Sequence, residues 1–183
     1  MALLKSNPGE IGSDIIDFQL KGVDGKIYSL DSFASKSVIV LIFMCNHCPY
    51  VQAVVERFIK IQTKYRDKGV QLIGISSNDV ETYPEDSFEN MIIYAKERNI
   101  NFPYLMDENQ STAWSYDAVC TPDIYVYDSN RLLKYRGRLD DNWKEESNVK
   151  SKDLEAAVGS ILLNKNIAFE QVPSMGCSIK WKK

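Results

Sequence analysis

The segment that most constrains the fold is Val38-Ile39-Val40-Leu41-Ile42-Phe43, which leads almost directly into Cys45-Asn46-His47-Cys48 and then into Val51, Val54, Val55 and Phe58. Six consecutive apolar residues have no polar face to turn toward water, so they predict a strand covered on both sides of its sheet. The i, i+3, i+4, i+7 spacing after them is one face of a helix. A doubly covered strand that runs into a helix opens a parallel β-α-β crossover, which makes the chain α/β.

The remaining pattern extends this unit. Phe18-Gln19-Leu20 and Ile27-Tyr28-Ser29-Leu30 flank Asp24-Gly25, a strong turn dipeptide, and predict an N-terminal β-hairpin. Gln71-Leu72-Ile73-Gly74-Ile75-Ser76 is the next strand. Phe88, Met91, Ile92 and Ala95 repeat the helical spacing, and Pro84 suits a helix start. Ile124–Tyr127 and Leu132–Arg136 read as a second hairpin around Asp128-Ser129-Asn130. Leu154, Ala157, Val158 and Ile161 form a last helical stripe, with Ser151 as its N-cap. The expected domain is a central mixed β-sheet flanked by helices. It covers residues 10–166, with an extension over 1–9 and a C-terminal tail over 167–183, extended on the domain or mobile.

The dithiol sits at the strand-to-helix junction, and the position matters chemically. Unpaired N–H groups and the helix dipole favour negative charge at a helix N-terminus, so a cysteine there is pushed toward thiolate. Two-residue spacing lets the second sulfur reach the first. Cys45 is therefore expected to be the exposed attacking thiol and Cys48 the buried resolving thiol. His47, the single histidine, can pair with the Cys45 thiolate and make the disulfide more oxidising, or can simply face solvent. Pro49 fits the first helical turn. Cys120-Thr121-Pro122-Asp123 precedes a strand, where Pro122 is either cis or an ordinary trans proline at a sheet edge.

Bulk properties exclude several classes. A net charge of -3 lacks the basic footprint of a nucleic-acid binder. No apolar run approaches the roughly 20 residues of a membrane span, and residues 1–10 lack the apolar segment of a signal peptide. A cytoplasmic location is the expectation for a complete chain. Four cysteines in 183 residues are too few for a disulfide scaffold, so the close pair points to redox chemistry or a metal.

The order of strand, C-x-x-C, helix and later Thr-Pro resembles the thioredoxin superfamily. More closely it resembles the redoxins of the alkyl hydroperoxide reductase/thiol-specific antioxidant (AhpC/TSA) group, through Phe43-Met44-Cys45-Asn46-His47-Cys48-Pro49-Tyr50, Cys120-Thr121-Pro122-Asp123 and the N-terminal hairpin. The resemblance spans roughly Glu10 to Leu162. It implies a thiol–disulfide oxidoreductase with Cys45 as nucleophile and Cys48 as resolver. It further implies a cis Pro122 beside them, whose neighbours pair with a substrate strand. Asn46, His47, Pro49, Thr121 and Pro122 would modulate the site or bind substrate. The implied partners are a protein disulfide or dithiol and a dithiol reductant or oxidant, with no cofactor beyond the cysteines. Met44 and Asn46-His47 replace the Trp and Gly-Pro of thioredoxin, and a histidine before the second cysteine is similar to the more oxidising members. Val38–Phe43 also lacks thioredoxin's buried acid.

Three points stay open at this level. Cys120 is either a third redox thiol or a small buried hydrophobe, and Cys177 is either a further exchange partner or an idle tail thiol. Cys45, His47 and Cys48, with Cys120 or Cys177, could instead hold zinc or copper. A thiol peroxidase is the other alternative. However, counting back from Cys48 puts Cys45 and Leu41 where the peroxidatic Pro-x-x-x-Thr/Ser-x-x-Cys pattern has Thr/Ser and Pro, and counting from Cys45 gives Ile42 and Val38. Trp143, in the acidic loop at 140–146, is a candidate contact point.

Overall fold

A computed structural model describes residues 3–183. Ten strands and four helices follow one another as β1 Leu3–Lys5, β2 Leu20–Gly22, β3 Ile27–Tyr28, β4 Val38–Phe43, α1 Pro49–Tyr65, β5 Val70–Ser76, α2 Phe88–Glu97, β6 Tyr104–Met106, α3 Ser111–Ser115, β7 Cys120–Thr121, β8 Asp123–Tyr127, β9 Leu133–Arg136, α4 Asp153–Leu162 and β10 Met175–Ser178. Seven of the strands form one sheet in the order β3-β2-β6-β5-β4-β8-β9. β4 lies parallel to β5 and β5 to β6, while β8 runs antiparallel to β4, so the sheet is mixed.

β4 is near the middle and every residue in it is buried. Its pleat sends Val38, Val40 and Ile42 into the core under α1 and α4, and Ile39, Leu41 and Phe43 into a second core on the other face. Two cores need apolar side chains at even and odd positions alike, which is why the run does not alternate. α1 turns Val51, Val54, Val55, Phe58 and Ile61 into the first core. Burying each such side chain contributes about 1.5–3 kcal/mol. The N-terminal hairpin is present as β2 and β3, and β2 also pairs with β6, which places the hairpin at the sheet edge.

Several local expectations need correction. Pro84 opens a separate 3-10 turn, Pro84–Asp86, and α2 starts two residues after it with Ser87 as N-cap. The N-cap of α4 is Lys152, because the Ser151 hydroxyl donates to the Asp153 carboxylate. The strands at 3–5, 104–106 and 120–121 were not foreseen. The tail is extended, and β10 forms a second, three-stranded sheet in the order β1-β10-β7. Residues 1 and 2 of the extension lie outside the described residues. No described helix is long and apolar enough to cross a membrane.

Candidate active site

The end of β4 delivers Cys45, and the start of α1 delivers Cys48 as N-cap with Pro49 at the first helical position. Both thiols are inside the protein, with Cys45 1 % and Cys48 0 % exposed. The expected exposure of Cys45 is therefore wrong: its sulfur is enclosed beside Cys48 and Thr121.

Peptide Thr121-Pro122 is cis, as the resemblance implied. Thr121 meets both sulfurs: its Oγ1 lies 3.7 Å from Cys45 Sγ, and its carbonyl accepts from the Cys48 thiol at 3.2 Å. The edge beside the cis-proline is occupied. β10 pairs antiparallel with β7, placing Cys177 opposite Thr121 and Ser178 opposite Cys120. Residues opposite one another share a face and neighbours along a strand alternate, so Cys177 shares the dithiol face with Thr121 while Cys120 points away from it. Gly176 allows this approach, because a Cβ there would lie 1.9 Å from the Thr121 carbonyl oxygen.

Cys45 and Cys48 interact strongly, and the interaction pushes their two pKa values apart. The interaction with Cys45 lowers the Cys48 pKa most. Burial opposes this, but Thr121, Cys177 and the Val51 N–H help, and the value falls to about 5. The Val51 amide acts through the helix end without closing a capping hydrogen bond. The Cys45 thiol is pushed well up by donating to Cys48, by burial and by the Asp86 charge. Burial and donation to Cys48 push Cys177 up to about 12. Cys120 is pushed up by burial and stays neutral, which fits a small buried hydrophobe.

The middle of the motif is held by Asp86, a residue that sequence reasoning missed. Asp86 is fully buried on the turn opened by Pro84. Its Oδ1 accepts from the Asn46 and His47 amides at 2.8 and 3.2 Å. Its Oδ2 accepts from Asn78 at 2.7 Å and meets His47 Nδ1 at 2.5 Å. Burial raises its pKa, but the bonds from His47 and Asn78 outweigh burial and hold it below the usual carboxylate range. The same bond raises the pKa of His47, whose ring stacks on Tyr83. Asn46 is saturated too: Tyr104 donates to its Oδ1, Gln52 to its carbonyl, and its own amide donates to Glu85 O. The sequence offers two adjacent acids after Pro84, Glu85 and Asp86, with no local signal that Asp86 is the one turned inward.

One atom each of Cys45, His47 and Asp86 lies within 4.8 Å of the others, a spacing that suits a metal. The donor set does not. Both Asp86 oxygens and His47 Nδ1 are already engaged, two bonds to each oxygen, so coordination through either oxygen would compete with hydrogen bonds to a buried carboxylate.

Beside the cis-proline is a cavity of about 110 Å³ lined by Tyr50, Val54, Pro122, Leu139, Trp143 and Met175 with the polar Arg138, Asp140, Asp141 and Ser174. Trp143 packs on Tyr50 with ring centroids 4.1 Å apart, so the acidic loop does reach the site.

A buried dithiol at a strand-to-helix junction, with a cis-proline against it, defines a thioredoxin-fold redox protein. Residues 11–136 match the AhpC/TSA family, and the chain belongs to that family. It is similar to peroxiredoxin Q of Triticum aestivum chloroplasts, 30% identical over 131 residues, which are 68% of this chain and 57% of that protein. Mitochondrial peroxiredoxin PRX1 of Saccharomyces cerevisiae is 28% identical over 60% of this chain and 41% of its own length. The chain thus spans about half the length of these curated relatives. The crystal structure of an uncharacterized conserved protein from Geobacillus kaustophilus superposes with a TM-score of 0.94 at 40% identity, covering 100% of this chain and 97% of that one.

Proposed function

We propose that the protein is a thiol–disulfide oxidoreductase that exchanges electrons with disulfide and dithiol partners through Cys45 and Cys48. The observation that carries this reading is the pair itself: two buried thiols, one on the helix N-cap, both meet Thr121 beside the cis-proline. The Cys48 thiolate attacks one sulfur of a substrate disulfide. The S–S bond breaks, and the other substrate sulfur leaves as a thiolate that takes a proton from water. Cys45 then loses its proton and attacks Cys48 Sγ. This closes the Cys45–Cys48 disulfide and releases the second substrate thiol, so two electrons pass from protein to substrate. A dithiol reductant reverses the same steps. The chemistry asks for no metal, flavin or nucleotide.

His47 and Asp86 position the loop, and imidazolium near Cys45 favours its thiolate as it forms. The cavity by Pro122, Tyr50 and Trp143 is the substrate-facing surface. A protein disulfide or a small dithiol is the partner class, and the cytoplasm is the compartment we assign.

The roles differ from the order expected by resemblance, and trapping decides between them. Cys45→Ser carrying Cys177→Ser is expected to accumulate mixed disulfides with a disulfide substrate, and Cys48→Ser to accumulate none, by non-reducing electrophoresis and mass spectrometry. Accumulation on Cys48→Ser alone restores Cys45 as nucleophile, and none on either variant removes the exchange reading. The family's peroxiredoxins favour a second reading, reduction of peroxide at the Cys48 thiolate. Peroxide consumption with a supplied dithiol, compared with insulin-disulfide reduction, separates the two.

A further inference from the structure

Cys177 lies about 130 residues from the motif in sequence, yet it sits on the dithiol face. β1 covers β10 on the outside, with Leu3 opposite Cys177, and β7 holds it on the inside. The tail therefore fills the edge that flanks the cis-proline, with a cysteine at the position opposite Thr121. An incoming strand of a disulfide substrate would present its sulfur from the same place. β10 has the form of a tethered substrate.

We propose that Cys177 is an internal exchange partner of Cys48, carried on a strand that occupies the substrate edge. This rests on the oxidoreductase reading and adds a third thiol to it. Starting from the Cys45–Cys48 disulfide, Cys177 gives up its proton and its sulfur attacks Cys48 Sγ. The Cys48–Cys177 bond forms, the Cys45–Cys48 bond breaks, and Cys45 leaves as a thiolate that takes up a proton. No electron enters or leaves, so the step needs no further oxidant. The reduced protein holds β10 by strand hydrogen bonds and core packing, whereas the isomerised disulfide adds a covalent fastening across the cis-proline edge. Oxidation thereby closes the edge to a peptide strand.

The neighbouring thiol behaves differently by geometry. Cys120 pairs opposite Ser178 and turns its sulfur toward the Pro122 carbonyl, 3.8 Å away. It is the internal control.

The test is disulfide mapping of the full-length protein after one equivalent of diamide per chain. Trypsin places Cys45 and Cys48 in residues 37–57, Cys177 in 166–180 and Cys120 in 99–131. In Cys45→Ser, the expected product is a covalent pair of 37–57 with 166–180 within a single chain, in most molecules. Cys48→Ser is expected to give at least tenfold less of it. Gly176→Val, whose side chain meets the Thr121 carbonyl, is expected to lower the yield about tenfold in the Cys45→Ser background. In the wild type, the linked pair is expected alongside the loop disulfide.

A loop disulfide in the wild type with no linked pair in either protein overturns the proposal and leaves the oxidoreductase reading standing. Failure of the wild type to lose two thiols overturns that reading itself. Links found only between chains, or equally to 99–131, also overturn the proposal. The wild-type arm needs no substitution and decides the matter even if a variant does not fold.

Discussion

The sulfurs lie between two walls built on different principles. One wall is the turn at Pro84–Asp86, where a single buried carboxylate fixes the Asn46 and His47 amides and the imidazole. The other is the β7–β10 edge, where short strands meet and the side chains facing the dithiol are Thr121 and Cys177. The first wall is charged and saturated, so it holds geometry. The second carries sulfur on short strands from the two ends of the chain, and its flanks Ser174 and Lys180 bond to Ser6, Gly137 and Asn78. A redox site needs both: a loop that does not move between oxidation states, and a boundary that admits a disulfide.

The sharpest way to break this contrast is Asp86→Ala. It leaves two amides, Asn78 and a partly buried imidazole without their acceptor. Removing one partner of such a buried, hydrogen-bonded pair costs about 3–5 kcal/mol, and urea unfolding is the measurement. A loss under about 1 kcal/mol, the range of exposed ion pairs, would show that the acid wall is no firmer than a surface contact.

The second prediction concerns the tail wall. Alkylation of Cys48 by iodoacetamide in the reduced protein is expected to rise with pH around a midpoint of about 5, because the thiolate is the reacting form. Gly176→Val displaces β10 and removes the contribution of Cys177. Its midpoint is expected to move upward, while the plateau rate increases roughly tenfold, equivalent to about 1.4 kcal/mol less protection. An unchanged plateau would mean that β10 does not guard the sulfur.

The two walls also differ in how far a sequence exposes them. β4, the dithiol and α1 were readable because each signal is local: a six-residue apolar run, a two-residue spacing and a stripe at helical period. The Thr121-Pro122 edge was readable by resemblance, and the N-terminal hairpin from the Asp24-Gly25 turn. The acid wall was not, because Asp86 reaches the motif from 39 residues away in sequence, through a turn whose proline resembles an ordinary helix start. The tail wall was half readable. Cys177 stood out as a cysteine, but only the register opposite Thr121 separates it from Cys120. The burial of Cys45 is not legible for the same reason, since Thr121, which meets its sulfur, lies 76 residues away in sequence.

The smallest expected effect returns to the acid wall and measures how much of its firmness is charge. In the fold, His47 binds its proton more tightly than its ordinary value of 6.5, because Asp86 bonds the imidazolium. A raised pKa of this kind stabilises the fold fully below 6.5, and the contribution is lost as pH rises through the higher folded value. Asp86 has the opposite sign: its pKa is lowered from 3.8, so its contribution is present above 3.8 and lost as pH falls through the lower folded value. The pair therefore acts between about 3.8 and the raised histidine value. His47→Gln keeps the backbone amides on Asp86 and removes the titrating ring. Solvent reaches the imidazole edge, so the stability difference from wild type is expected to be about 0.5–1 kcal/mol near pH 5.5, and to shrink on going to pH 9. A difference that stayed constant from pH 5 to 9 would assign the imidazole a packing role against Tyr83, leaving the neutral amide bonds as what holds this wall.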